Sequence, residues 1–211
     1  MFGRRYGIIL ACDVSSLQDL STLIQCGEKS ETVVGYKIGF TLGLRFGLHR
    51  VVETIRRDSS RPIIYDHQKA GTDIPQMGTP LAKCCKEAGI SGIIIFPLAG
   101  PETMISFIEA IRKGGAIPII GGVMTHPAFL RGEGGYIDDS APSEIYRKAA
   151  ENGVEHFVLP GNRPKLIRKY VDEISQVIEC ASVLMPGIGT QGGQIGEAFD
   201  AARENRCYAI V

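Results

Sequence analysis

The sequence lacks tryptophan, a net charge and any long apolar run. Lys and Arg together number 23 of the 211 residues, as do Asp and Glu. No overall field therefore draws the protein onto nucleic acid or an anionic membrane surface. The longest apolar stretches, residues 92–99 and 116–124, are far shorter than the roughly 18 residues that cross a bilayer. We expect neither nucleic acid nor a membrane as a partner.

The sequence also lacks a secretory signal and a zinc-binding pattern. Asp13 interrupts the short apolar run of residues 7–12, whereas a signal peptide needs a longer apolar region and a cleavage site. No CxxC motif and no Cys/His pattern with zinc spacing occurs. The cysteines are at positions 12, 26, 84, 85, 180 and 207. We expect a cytoplasmic protein without a metal site, whose cysteines are reduced and lie in the core.

Apolar, β-branched runs alternate with amphipathic segments along the whole chain. Runs that are almost continuously apolar are typical of parallel strands buried on both faces. The predicted strands are Tyr6–Val14, Thr32–Phe40, Pro62–His67, Gly92–Ala99, Ala116–Met124, His156–Gly161, Ala181–Ile188 and Cys207–Val211. This repeat predicts an α/β fold, a single (β/α)8 TIM barrel over residues 1–211. A doubly wound open sheet, the alternative, usually has only about five or six strands.

Helix start and stop signals fall between the predicted strands. We predict five helices. The first is capped by Ser15 or Ser16 and ends near Gly27, and the second spans Thr79–Ala88. The third begins at Pro101, the fourth runs from a cap at Ser143 to Asn152, and the fifth begins at Pro164. The long irregular segment between Pro127 and Pro142 is either a lid or binding loop, or a surface insertion.

Charged residues lie near the ends of the first three predicted strands. Asp13 ends the first, Lys37 the second and Asp66 the third, and Lys69 and Asp73 follow shortly. In a TIM barrel the carboxyl ends of the strands line the active site. A single such charge could merely form an ion pair at the barrel mouth. Several charges on one rim favour a functional site, because burying them together is costly.

A glycine-rich segment, PGIGTQGG, covers residues 186–193 after the seventh predicted strand and opens a helix. Glycines let backbone N–H groups approach an anion closely, and the N-terminus of a helix adds favourable partial charge. Loops after strands seven and eight are the usual phosphate site of TIM barrels. The segment therefore predicts a phosphate-binding loop.

Five motifs together resemble those of the orotidine 5′-monophosphate decarboxylase family, in family order and across essentially the whole chain. They are LACDV, YKIGF, YDHQKAGTDIP, MTHP and PGIGTQGG. The resemblance implies decarboxylation of orotidine 5′-monophosphate (OMP) to uridine 5′-monophosphate (UMP), the last step of pyrimidine synthesis, without a cofactor. Loss of carbon dioxide from C6 leaves a carbanion with no adjacent π system to delocalise it, so preorganised charges must stabilise it.

The resemblance also implies roles for the charged residues. Lys69 stabilises the negative charge at C6 and donates the proton that replaces the carboxylate. Asp66 lies beside that carboxylate, Lys37 completes the charge array, and Asp13 and Asp73 contact ribose hydroxyls.

Further binding roles and the quaternary structure follow from the same resemblance. In the family Asp73 and Ile74 come from the partner subunit, which implies a homodimer with composite sites. Thr125 replaces a serine that binds the pyrimidine, and Pro186 walls the base. The phosphate ligands are Gln191, Gly192 and Gly193.

The sequence departs from the family pattern in two places. The charged motif is longer: two residues instead of one separate Asp66 from Lys69, and three instead of two separate Lys69 from Asp73. Gly71 could allow the backbone turn that absorbs them. His67, newly placed there, either packs at the rim or contacts substrate.

The second departure concerns the chain end, because the family continues past the eighth strand with Gly-Arg and a final helix, whereas this sequence stops at Val211. Either the chain is a shortened form that binds substrate more weakly, or Gln191 and backbone amides hold the phosphate alone.

Two other functions remain open. One is a Mg²⁺-dependent sugar-phosphate aldolase of the same suprafamily, similar to 3-hexulose-6-phosphate synthase. Its metal would need a further carboxylate at a strand end, where this sequence has Lys37. The other is a non-catalytic nucleotide-binding barrel.

Overall fold

The computed structural model describes residues 1–67 and 70–211. Within them, parallel strands in chain order form one closed barrel, in which the first strand pairs with the last. The strands are β1 (Tyr6–Ala11), β2 (Val33–Gly39), β3 (Ile63–Asp66), β4 (Gly92–Ile95), β5 (Ile117–Gly121), β6 (His156–Val158), β7 (Ser182–Met185) and β8 (Arg206–Ile210). The predicted (β/α)8 TIM barrel is confirmed.

Helices connect successive strands and cover the outside of the barrel. They are α1 (Leu17–Glu28), α2 (Phe40–Phe46), α3 (Leu48–Arg56), α4 (Gly78–Ala88), α5 (Pro101–Lys113), α6 (Ala141–Glu151), α7 (Pro164–Ile174) and α8 (Ile195–Ala201). In the part of the chain that the structure describes, none has the length and apolar character of a membrane-spanning helix.

Local signals explain where several helices begin and end. The Ser16 hydroxyl accepts a hydrogen bond from the Asp19 N–H at 3.1 Å, which caps α1 as predicted. The predicted cap at Ser143 is wrong, since α6 already begins at Ala141, with Ser140 as its N-cap. Pro142 fits the first turn of that helix because its fixed φ is helical and its missing N–H is not needed there.

The core has two layers. One lies between the barrel and the helices, and the other fills the barrel interior with side chains that include Ile64, Ile94 and Leu184. The prediction that the cysteines lie in the core is confirmed for Cys12, Cys85 and Cys207, which are buried, whereas Cys180 is only half-buried. The prediction is wrong for Cys26 and Cys84, which are exposed.

The segment between Pro127 and Pro142 folds on itself. Leu130 and Ile137 form an isolated β-bridge, and the Asp139 carboxylate accepts a hydrogen bond from the Gly132 N–H at 3.0 Å. The Glu133 carboxylate also pairs with Arg163, just before α7. These contacts tie the segment to the loop after β6.

Candidate active site

Three charged side chains from consecutive strands meet at the carboxyl end of the barrel. Lys37, in β2, places its Nζ 3.2 Å from Oδ2 of Asp13 and 3.6 Å from Oδ2 of Asp66. The side chains of Lys37 and Asp66 are each 11% exposed, whereas that of Asp13 is 64% exposed. The ammonium group of Lys37 thus lies between two carboxylates, and two of these three side chains are nearly buried. These residues form the charged cluster that the sequence predicts at the strand ends.

Strand register explains why these side chains meet. Lys37 pairs with Ala11 of β1 and with Ile64 of β3, so it lies between the two strands that end next to Asp13 and at Asp66. The Cys12 N–H also donates to the Lys37 carbonyl at 2.8 Å, which extends the ladder to the residue before Asp13. The barrel scaffold, rather than a mobile loop, therefore sets the spacing of the charges.

A cavity of about 430 Å³ opens beside the charged cluster. Asp13, Lys37 and Asp66 line one side of it, and residues 186–191 of the glycine-rich loop line the other. Thr125 also lines it, and its carbonyl accepts a hydrogen bond from the Asn162 side chain at 3.2 Å. The cavity thus joins a charged cluster, a hydroxyl and a glycine-rich loop.

The glycine-rich loop is held in shape by its own backbone. The Gly192 N–H donates to the Gly189 carbonyl at 2.8 Å, and the Gly193 N–H donates to the Gly187 carbonyl at 3.1 Å. A Cβ at Gly193 would lie 2.6 Å from that carbonyl oxygen, so only glycine fits. Pro186 and Gln191 line the cavity, whereas the next two residues of the loop, Gly192 and Gly193, do not.

Asp73 and Ile74 are not among the residues that line the cavity beside Lys37. Both are exposed, and they line a separate surface depression with residues 99–103. The Asp73 carboxylate accepts its neighbour's N–H at 2.7 Å, and its carbonyl accepts the Thr103 hydroxyl at 2.9 Å. Lys69 falls outside the described residues.

Ala70 and Gly71, which follow the undescribed positions, have defined backbone contacts. The Ala70 N–H donates to the His67 carbonyl at 2.7 Å, and the Ala70 carbonyl accepts from the Phe96 N–H at 2.9 Å. Gly71 has a φ of +88°, and a Cβ there would lie 3.0 Å from the Pro97 Cα. The predicted turn at Gly71 is therefore present, at a position that a larger residue would strain.

Sequence patterns alone missed the apolar side of the cavity. Phe96 is buried and lines it together with Ile94, Val123, Val158 and Ile210. All of these lie near or just beyond the carboxyl ends of the observed strands, whereas the predicted strands ran further and placed several of them in strand interiors. They give this part of the cavity an apolar surface.

Among the described residues, no group of three or more His, Cys, Asp or Glu is placed to hold a metal ion. Burial, with Asp13 nearby, raises the pKa of the Cys12 thiol to about 12, so this cysteine stays protonated at neutral pH.

Tyr146 supports the cavity from behind. Its buried hydroxyl accepts hydrogen bonds from the N–H groups of Gly122 and Val123 at 2.9 and 3.2 Å, and donates to the Val158 carbonyl at 2.9 Å. One side chain on α6 thereby holds the ends of β5 and β6 together.

Tyr146→Phe is expected to lower the free energy of unfolding by about 2–4 kcal/mol, because it leaves buried backbone groups without partners. Urea denaturation measures the change. Tyr170→Phe is the matched control: Tyr170 is fully buried, and its hydroxyl has no hydrogen-bond partner in the described residues. Equal losses in the two variants would contradict the assignment.

Known proteins resemble this chain along almost its full length. It is 31% identical over 207 residues to the orotidine 5′-phosphate decarboxylase of Pyrococcus abyssi, covering 97% of this chain and 88% of the relative. It is 27% identical over 204 residues to the enzyme of that name from Methanococcus maripaludis, covering 97% and 87%.

A solved structure has the same fold. It is the orotidine 5′-monophosphate decarboxylase of Methanocaldococcus jannaschii in complex with the inhibitor BMP, with a TM-score of 0.82 and 24% identity over 98% of this chain and 88% of the other. A family model described as Orotidine 5′-phosphate decarboxylase / HUMPS family matches residues 7–211. The chain therefore belongs to the Orotidine 5′-phosphate decarboxylase / HUMPS family.

Proposed function

We propose that this chain decarboxylates OMP to UMP in pyrimidine synthesis, without a cofactor. The observation that carries the proposal is the Lys37 ammonium held between Asp13 and Asp66 at one side of a cavity whose opposite side is a glycine-rich loop. Family membership and the named activity of the relatives support it. Since substrate and product are soluble nucleotides, we infer a cytoplasmic location.

Charge placement suits the chemistry of this reaction. The carbanion at C6 gains no resonance stabilisation, so a fixed positive charge beside C6 must lower the barrier. Lys69 supplies that charge and then the proton, while Asp66 lies near the departing carboxylate. Lys37 holds the carboxylates of Asp13 and Asp66 in place, and Asp13 accepts hydrogen bonds from the ribose.

The opposite side of the cavity binds the remainder of the nucleotide. Thr125 offers a hydroxyl to the pyrimidine, and Pro186 packs against the base. The phosphate binds at the loop of Gln191, Gly192 and Gly193. Within the described residues, the N–H groups of Thr190 and Gln191 take no part in the backbone hydrogen bonds that shape this loop, and they can donate to an anion. Binding energy from the phosphate then helps to assemble the charged site.

The family name also covers a second activity, the metal-dependent aldolase reaction considered above. In the described residues, Lys37 already occupies the position between Asp13 and Asp66 that a bound cation would need. An ammonium ion there competes with Mg²⁺ for the same carboxylates. The charge arrangement therefore favours the decarboxylase.

An assay with excess EDTA separates the two activities. We expect the purified chain to convert OMP to UMP at the same rate with and without the chelator. It should not condense formaldehyde with ribulose 5-phosphate when Mg²⁺ is present. Activity on the sugar phosphate that EDTA abolishes, with OMP left unchanged, would overturn the proposal.

We also propose that the enzyme is a homodimer in which Asp73 and Ile74 complete the partner's active site. A second depression, of about 740 Å³, adjoins the charged cluster and is lined on its other side by Phe40 and Leu44. Both of these apolar side chains are well exposed, as is Ile74. An aspartate followed by an isoleucine complements this surface, since the carboxylate can reach Lys37 while the isoleucine covers Phe40 and Leu44.

Subunit complementation tests the shared site. Lys69→Ala and Asp73→Asn should each have little activity alone, yet co-expression should restore about a quarter of wild-type activity. Half of the dimers are then mixed, and each mixed dimer has one intact site of two. Variants purified separately and mixed without subunit exchange are the control. If Asp73 acts within its own chain, co-expression restores nothing.

A further inference from the structure

A tyrosine and a histidine flank Asp66 in sequence, and their side chains are joined. The Tyr65 hydroxyl lies 2.7 Å from Nδ1 of His67, and the two rings are 5.5 Å apart. Residues i and i+2 of an extended chain share one side, so this bond lies on the opposite face of the backbone from the Asp66 side chain. It spans the residue that carries the carboxylate.

We assign the hydroxyl of Tyr65, which is 5% exposed, as the donor of this hydrogen bond. Burial, with smaller contributions from Cys85 and Asp66, raises the pKa of the Tyr65 hydroxyl to about 12. The phenol therefore keeps its proton at neutral pH. In neutral His67, Nδ1 accepts that proton as a hydrogen bond and the ring's own N–H is at Nε2.

The Tyr65 ring is itself held by the outer core. It belongs to the cluster between the barrel and the helices, and a Cβ at Gly43 of α2 would lie 3.5 Å from its hydroxyl. His67 is partly exposed. The hydroxyl thus joins a side chain that lines the second depression to the outer core.

His67 also begins the segment that leads to Lys69. Its carbonyl accepts the Ala70 N–H, and the Ala70 carbonyl accepts the Phe96 N–H. Phe96, just after β4, thus holds Ala70, and the Tyr65 hydroxyl holds the imidazole of His67. Both contacts lie next to the place where the charged motif is longer than the family pattern.

We propose that Tyr65 and His67 are positioning residues for the decarboxylation, and that their hydrogen bond sets the placement of Asp66 between them. The proposal rests on the proposed function. Neither residue needs to touch the reacting atoms. Misplacing catalytic groups by a fraction of an ångström is enough to slow a preorganised site.

Tyr65→Phe removes the donor and keeps the ring. We expect kcat for OMP to fall roughly 10-fold or more, with KM changed by less than about 3-fold, because the bond acts on the charged groups and not on nucleotide binding. His67→Leu should cause a similar loss. The double variant should lose no more than either single variant, since both changes break the same bond. Tyr170→Phe, which removes a buried hydroxyl elsewhere, should leave kcat unchanged.

A spectroscopic readout accompanies the kinetics. In ¹⁵N NMR spectra of the wild-type chain at neutral pH, His67 should show the Nε2–H tautomer with Nδ1 as an acceptor, and Tyr65→Phe should shift the Nδ1 signal. Wild-type kcat in Tyr65→Phe, or losses that multiply in the double variant, would overturn this inference alone. A wild-type chain that leaves OMP unchanged would overturn the proposed function as well.

Discussion

Lys69→Ala is expected to lower kcat for OMP by roughly 10,000-fold or more. The change removes both the positive charge beside C6 and the proton donor, and each effect alone is worth on the order of 100- to 1,000-fold. Steady-state assays at saturating OMP measure this fall in kcat. UMP binding should weaken much less, because the phosphate loop and the Thr125 region are untouched.

Lys69→Arg is the matched control for this prediction. Arginine keeps the positive charge but carries it on a longer, planar group that does not readily donate a proton. The kcat should therefore remain far below that of the wild type. If Lys69→Ala keeps more than about 1% of wild-type kcat, another group donates the proton and the assignment is wrong.

Lys37→Met is expected to lower kcat on the order of 100- to 1,000-fold. Methionine fills a similar volume, but it leaves Asp13 and Asp66 without the ammonium that lies 3.2 and 3.6 Å from them. Two neighbouring carboxylates then repel each other, and the charge array loses its geometry. The measurement is kcat with circular dichroism on the same samples, so that loss of fold is seen separately.

A surface lysine provides the control for Lys37→Met. Lys83 pairs with Glu87 at 3.9 Å on α4, and both side chains are well exposed. Lys83→Met should leave kcat unchanged, because exposed ion pairs contribute little. A folded Lys37→Met variant with wild-type kcat would show that the ammonium between the two carboxylates has no part in the reaction.

The barrel could be predicted because its pattern is repeated along the chain. Apolar runs mark parallel strands wherever both faces are buried, and each run here forms a strand. The predicted strands other than the eighth are too long, however: β1 ends at Ala11, not at Val14. Apolar character continues past the hydrogen-bond ladder, because residues at the barrel mouth still pack against neighbouring loops.

Side-chain burial on helices was harder to predict. Cys26 of α1 and Cys84 of α4 are as apolar as the buried cysteines, but they lie on outward faces. Which face turns inward depends on how each helix packs on the barrel. The cap at Ser143 was wrong for a related reason, because Ser140 and Pro142 give an equally good start three residues earlier.

The charged cluster could be predicted because the fold places strand ends together. Asp13, Lys37 and Asp66 meet as expected. No sequence rule locates Asp73 relative to them, since it lies beyond the end of β3 and faces a different depression. The bond between Tyr65 and His67 also escaped prediction, because a tyrosine two residues before a histidine carries no signal without the strand that aligns them.

The most direct test of the central claim is to follow OMP turnover by NMR in D₂O with EDTA present. The account predicts that the wild-type chain converts OMP to UMP carrying one deuterium at C6 per turnover, because the proton that replaces the carboxylate comes from an exchangeable ammonium group. Unchanged OMP in the presence of folded, full-length chain would contradict it.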